Sequence, residues 1–162
     1  MRKDGNVRSD YQKLAGLPAR RGKRTASDTE PDMARKMELS VTYMVQHLNQ
    51  PLHVATLAAA VSISSSHYSA LFKRWTGHPP IEYFIHLRMQ QACRLFDSTS
   101  LNVKEVAAAL GYDDPFYFSR TFKSVNRVAP SEYRMMPEKL RDALKKAALP
   151  LDSPIPENSR TV

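Results

Sequence analysis

Two short stretches of the chain hold residue types that could do chemistry. Ser64–Thr76 carries Ser65, Ser66, His67 and Ser69, then Lys73 and Arg74. Pro115–Arg127 carries Phe116, Tyr117 and Ser119, then Arg120, Lys123 and Arg127. Neither stretch contains an acid. Cations spaced among hydroxyls and aromatic rings suit one task, holding an anionic polymer by its phosphates while other side chains reach base edges. The formal net charge of +8 fits an acidic polymer or an anionic surface.

Bond-making chemistry finds less support. The five histidines are His47, His53, His67, His78 and His86. No pair has the spacing of a helical zinc site, and none has a cysteine nearby. His47 and His86 read as surface or packing residues, and His67 either touches the polymer or packs. Cys93 is the single cysteine, with nothing basic fixed beside it to activate a thiolate, so it reads as a buried structural thiol. A lone cysteine permits no intrachain disulfide and no CxxC zinc site, which fits a reducing, cytoplasmic compartment. No enzyme, metal or cofactor is expected. No apolar run approaches the ~20 residues that span a bilayer, and MRKDGNVRSD lacks a signal-peptide core, so no membrane partner is expected.

The elements that position these residues are legible. Asn102-Val103-Lys104-Glu105 has the form of a capping box. Val103, Val106, Ala107 and Leu110 follow at helical spacing, and Gly111 supplies the backbone freedom for an abrupt stop. Asp114 and Pro115 restart a helix as N-cap and first residue. Phe118 and Phe122, four apart, face inward, while Ser119, Arg120 and Lys123 point elsewhere. This is a helix-turn-helix, a motif whose second helix enters the DNA major groove.

The motif occurs twice. Up to the turn the second copy follows the first by 49 positions (Leu52 to Leu101), and beyond it by 50 (Ser69 to Ser119). Leu52, Val54, Leu57, Ala58, Ala59 and Val61 match Leu101, Val103, Val106, Ala107, Ala108 and Leu110. Ser69, Phe72, Lys73, Pro80, Glu82 and Tyr83 match Ser119, Phe122, Lys123, Pro130, Glu132 and Tyr133. Two copies are too few for a solenoid and indicate a duplicated module.

Leu87-Arg88-Met89 through Ala92, then ALGYDDPFYFSRTFK and PSEYR, closely resemble the DNA-binding domain of AraC/XylS-type transcription regulators, over about Met33 to Met136. Two departures stand out: Asn126-Arg127 replaces the family's Phe-Gly, and Ser62 replaces a turn glycine. Arg127 is expected to strain a left-handed position. The resemblance implies a transcription activator that binds double-stranded DNA and contacts RNA polymerase. It also implies base readers at positions matching Ser66, Ser69 and Ala70 in the first copy, and Pro115, Phe116, Ser119 and Arg120 in the second. Ala70 offers only a methyl group, so direct readout by the first copy looks weak. Arg120 either forks onto a guanine or clamps a phosphate. Of Phe116 and Tyr117, one is expected to pack on the connector and the other to meet a thymine methyl. Lys73, Arg74, Lys123 and Arg88 are expected on phosphates.

The expected architecture is all-α, two helix-turn-helix lobes joined by a long connector helix. Residues 1–32 read as a flexible tail or linker, 33–136 as the DNA-binding domain, and 137–162 as an amphipathic tail helix with a disordered end. The basic cluster Ala19-Arg20-Arg21-Gly22-Lys23-Arg24 is either part of a solvated tail or an arm that adds phosphate contacts or reaches a minor groove, and the tail as a whole is alternatively the remnant of a linker from a sensing domain. The first helix is expected from about Met33 to Asn49, ended by Pro51, with Met37, Val41, Met44 and Leu48 in the core. The first recognition helix runs Ser65–Thr76, capped by Ser64 and closed by Gly77. The connector runs from Pro80 to about Ser98, with Ile81, Ile85, Met89, Ala92 and Phe96 along its apolar stripe. It would hold the two recognition helices at a fixed spacing; near ~34 Å, a monomer reads two successive major grooves. The chain acts alone or within a larger regulator. The other reading is a protein-interaction or ligand-responsive module with vestigial DNA binding, its tail Pro137–Leu149 docking a partner domain.

Overall fold

The computed structural model describes residues 30–147. Among these residues every regular element is helical: α1 Glu30–Gln46, α2 Val54–Ala60, α3 Ser65–Thr76, α4 Pro80–Ser98, α5 Val103–Ala109, α6 Pro115–Asn126, α7 Pro130–Met135 and α8 Glu138–Ala147. The fold is all-α, with two helix-turn-helix lobes, α2–α3 and α5–α6, joined by the long connector α4. Of the described residues, one compact unit holds 30–46 and 52–83, and a second holds 47–51 and 84–147. Readings for residues 1–29 and 148–162, the basic run included, lie outside the described residues.

In the first unit α1 buries Met33, Met37, Tyr43 and Met44, α2 buries Leu57, Ala58 and Ala60, and α3 buries Tyr68, Phe72 and Trp75. Tyr68 stacks on Phe72 at 5.8 Å, and Tyr83 meets the same ring edge-on at 5.4 Å. Helix α1 begins at Glu30, inside the segment expected to be tail. Pro31 is tolerated there because a first-turn residue needs no N–H partner. The helix also ends at Gln46, before Pro51 could stop it. Residues 47–51 leave the helix to pack in the second unit.

In the second unit Met89, Ala92, Cys93 and Phe96 of α4 pack with Val106, Ala107, Leu110, Tyr112, Phe118, Phe122 and Tyr133. Phe122 lies among Phe96, Phe118 and Tyr133, with ring centroids 5.7, 6.0 and 5.7 Å away. Ile81 departs from its expected place on the apolar stripe: it is exposed, while Tyr83, Phe84 and Leu87 are buried. The first turn of α4 belongs to the first unit, where Tyr83 is the residue turned to Phe72. Ile81, two residues earlier, falls on the opposite side.

The arginine Arg88 was expected on phosphate and is instead engaged inside the fold. Its Nε donates to the Leu48 carbonyl and a terminal nitrogen donates to the Gln50 carbonyl, both at 2.7 Å. Its guanidinium also lies over the rings of Phe84 (4.5 Å) and Tyr112 (5.1 Å). Helix α8 contacts its own unit. Asp97 accepts from Arg141 (2.5 Å), Lys145 (2.8 Å) and the Tyr133 hydroxyl (3.2 Å), and Leu144 packs against the core.

Each lobe has two left-handed positions, one in the turn and one closing the recognition helix. In the first lobe these are Ser62 (φ 62°) and Gly77 (φ 82°); in the second, Gly111 (φ 75°) and Arg127 (φ 67°). The glycine has changed places between the copies. The strain anticipated at Arg127 is present, and Ser62 shares it. Because a side chain disfavours this region, Ser62→Gly and Arg127→Gly are each expected to stabilise the chain by about 0.5–1 kcal/mol. The check is the denaturant midpoint at unchanged slope.

Candidate nucleic-acid interface

Helix α3 starts where Ser64 accepts a hydrogen bond from the His67 N–H at 3.2 Å, and it closes at Gly77, whose N–H donates to the Lys73 carbonyl. Between these caps Tyr68, Phe72 and Trp75 face the core. The remaining face presents Ser65, Ser66, His67, Ala70, Lys73 and Arg74 to solvent, with Ser69 half-buried at its margin. Residues 66, 69, 70 and 73 fall on one side of the helix by the i, i+3, i+4, i+7 rule.

Helix α6 is built in the same way. The Asp114 carboxylate accepts from the Phe116 N–H at 2.8 Å, Pro115 occupies the first turn, and the Arg127 N–H donates to the Lys123 carbonyl. Phe118 and Phe122 anchor the helix in the core. Pro115 and Ser119 are half-buried, whereas Phe116, Tyr117, Arg120 and Lys123 are exposed. The Ser119 hydroxyl donates to the Pro115 carbonyl at 2.9 Å, so in this state it offers an incoming group its lone pairs.

The predicted residues thus assemble into two faces, one on each unit: Ser65, Ser66, Ser69, Lys73 and Arg74 on α3, and Pro115, Phe116, Tyr117, Ser119, Arg120 and Lys123 on α6. The aromatic pair differs from expectation. Phe116 and Tyr117 are both exposed, at 76% and 52%. Tyr117 lies 6.0 Å from the ring of Tyr112, in the turn, and carries the Arg120 guanidinium 6.0 Å above its own ring. Tyr112 escaped the sequence reading. Its place directly after the turn glycine was the available signal, since that residue must sit between the two helices of the motif.

Asn126 replaces a family phenylalanine at a buried position and is only 7% exposed. Its amide donates to the Phe122 carbonyl at 3.2 Å and its oxygen faces the Cys93 thiol at 3.9 Å, so the polar atoms are satisfied inside the core. Burial pushes the Cys93 thiol up from 9.0 to about 11. At pH 8 the folded chain is therefore expected to hold about a hundredfold less thiolate than the unfolded one. Labelling by a chromogenic disulfide should be slow until denaturant is added; rapid labelling of the native chain would contradict this placement.

No helix among the described residues is long and apolar enough to cross a membrane. The helix-turn-helix domain family matches residues 57–136. The chain is 44% identical over 92 residues to the MmsAB operon regulatory protein of Pseudomonas aeruginosa, covering 57% of this chain and 30% of that protein. It therefore spans about a third of the length of that curated relative. Among solved structures it resembles the DNA-binding domain of AdpA, a global transcriptional factor, in complex with a target DNA. The identity is 29%, the TM-score 0.58, and the match covers 61% of this chain and 89% of that one. It also resembles a transcriptional regulator from Chromobacterium violaceum described as containing an AraC-type DNA-binding domain, at 26% identity and TM-score 0.59, covering 67% and 99%.

Proposed function

We propose that the chain is an AraC-type helix-turn-helix regulator, like the proteins it resembles, and that it binds double-stranded DNA sequence-specifically and regulates transcription. The observation carrying this reading is the pair of like-built exposed faces. Ser66, Ser69 and Lys73 on α3 stand where Phe116, Ser119 and Lys123 stand on α6. Each helix enters a major groove, and the two engage successive grooves from one monomer or from one subunit of a larger regulator. Lys73, Arg74 and Lys123 neutralise phosphates; Ser65, Ser66, Ser69, Phe116, Ser119 and Arg120 face bases, with Pro115 and Tyr117 at the margin. The activity is binding, not catalysis, and takes place in the cytoplasm. As an activator the chain would also contact RNA polymerase.

Two substitutions test the division of labour. Arg120→Ala is expected to weaken binding to the preferred site by about 1–3 kcal/mol and to relax the choice at one base pair, because its planar fork matches the O6/N7 edge of guanine. Lys73→Ala is expected to weaken all sequences alike and to lower the salt slope of affinity by roughly one. Binding to preferred and scrambled sites over a salt series separates these. Equal loss on both sites for Arg120→Ala would make it a phosphate clamp, and a shallow salt slope for the unaltered chain would favour the interaction-module reading.

A further inference from the structure

We infer that Tyr117 is a positioning residue for Arg120, holding its guanidinium ready to read a base. The inference rests on the proposed role of Arg120 as a base reader. Four side chains of the second unit form a column. Arg88 lies 5.1 Å over Tyr112, the Tyr112 ring is 6.0 Å from Tyr117, and Arg120 lies 6.0 Å over Tyr117. The foot of the column is fixed. Arg88 is held by the Leu48 and Gln50 carbonyls, and Tyr112 is buried with Phe118 edge-on at 5.3 Å. The tip, Tyr117 with Arg120, is exposed.

An exposed arginine loses rotamer freedom when it docks, which weakens and blurs its readout. A ring beneath the guanidinium narrows that freedom beforehand. The two uses do not compete, because the ring takes the π face while the N–H groups radiate in the plane and stay available to a guanine edge. The first lobe has no such device. Counting back 50 positions, His67 stands for Tyr117 and Ala70 for Arg120.

The test uses the full chain with Tyr117→Phe, Tyr117→Leu, Arg120→Ala and the Leu/Ala double variant. The first readout is the affinity ratio between the preferred site and one changed at the base pair that Arg120→Ala relaxes. Tyr117→Leu is expected to reduce this ratio about two- to fivefold, the range of an exposed cation–π contact. Tyr117→Phe should retain the ratio, and Tyr117→Leu should add nothing in the Arg120→Ala background. The second readout needs no DNA: ¹⁵N relaxation of Arg120 Nε should show lower order in Tyr117→Leu than in Tyr117→Phe. An equal affinity loss on every site, an undiminished effect in the Arg120→Ala background, or unchanged Nε order would overturn the positioning role. If Arg120→Ala relaxes no base pair while the Nε order still follows the ring, the failure lies in the base-reading assignment instead.

Discussion

Gly111→Ala is expected to destabilise the fold by about 3 kcal/mol or more, far beyond the cost of its backbone angle. At φ 75° any side chain is disfavoured, at about 1 kcal/mol. The larger part is steric. A Cβ there would lie 2.7 Å from the Asn49 carbonyl carbon, closer still to its oxygen, and 3.3 Å from an Arg88 terminal nitrogen. The obstructing atoms are backbone, in a segment that Arg88 already holds at both Leu48 and Gln50, so little can give way. Gly77 is the control. Its φ is 82°, yet an added Cβ would meet nothing within 4 Å. Gly77→Ala should therefore cost only about 1 kcal/mol. Urea midpoints for both variants decide the matter; equal shifts would mean that the Asn49 contact moves aside.

The second large effect is Phe122→Ala, expected to cost about 3–5 kcal/mol, the range for truncating a buried phenylalanine. Phe122 is fully buried and touches three other aromatic rings, so the cavity would lie where α4, α6 and α7 meet. Phe116 is on the same helix and 76% exposed. Phe116→Ala should change stability by no more than about 0.5 kcal/mol while weakening DNA binding. Thermal unfolding and DNA titration of the two variants should give opposite patterns. If Phe116→Ala proved as destabilising as Phe122→Ala, the face assigned to DNA would be a packing face.

What was legible in the sequence was local. Ser64, Asn102 with Glu105, and Asp114 with Pro115 cap their helices as their types required, because a cap is decided within three or four residues. Phe118 and Phe122 turned inward because their spacing matches the helical period. Arg88 could not be read this way: its acceptors are the carbonyls of Leu48 and Gln50, some 40 positions away, and carbonyls carry no residue signature. The same contacts hide the end of α1, which stops at Gln46 because residues 47–51 pack elsewhere. Ile81 breaks the single apolar stripe expected along α4, because the first turn of that helix serves the first unit through Tyr83. The candidate site was legible as two sets of exposed residues. The contact of Tyr117 with Tyr112 was not, since it depends on the turn.

The chain order around Leu48–Gln50 also bears on how the protein is made. During synthesis these residues emerge well before Arg88 and Gly111, the groups that will fix them. The segment must wait, while the first repeat is built, for the groups of the second unit that hold it, and joining the two closes a loop containing that repeat. Loop closure costs entropy that grows with the freely moving length. A first repeat already folded by then presents its ends as a compact body, which shortens the search. We expect refolding in which the first unit's aromatic cluster forms early and the Arg88 clasp sets the slow step. Gly111→Ala, which obstructs Asn49 inside that clasped segment, should then lower the folding rate more than it raises the unfolding rate, as for a contact made at the barrier.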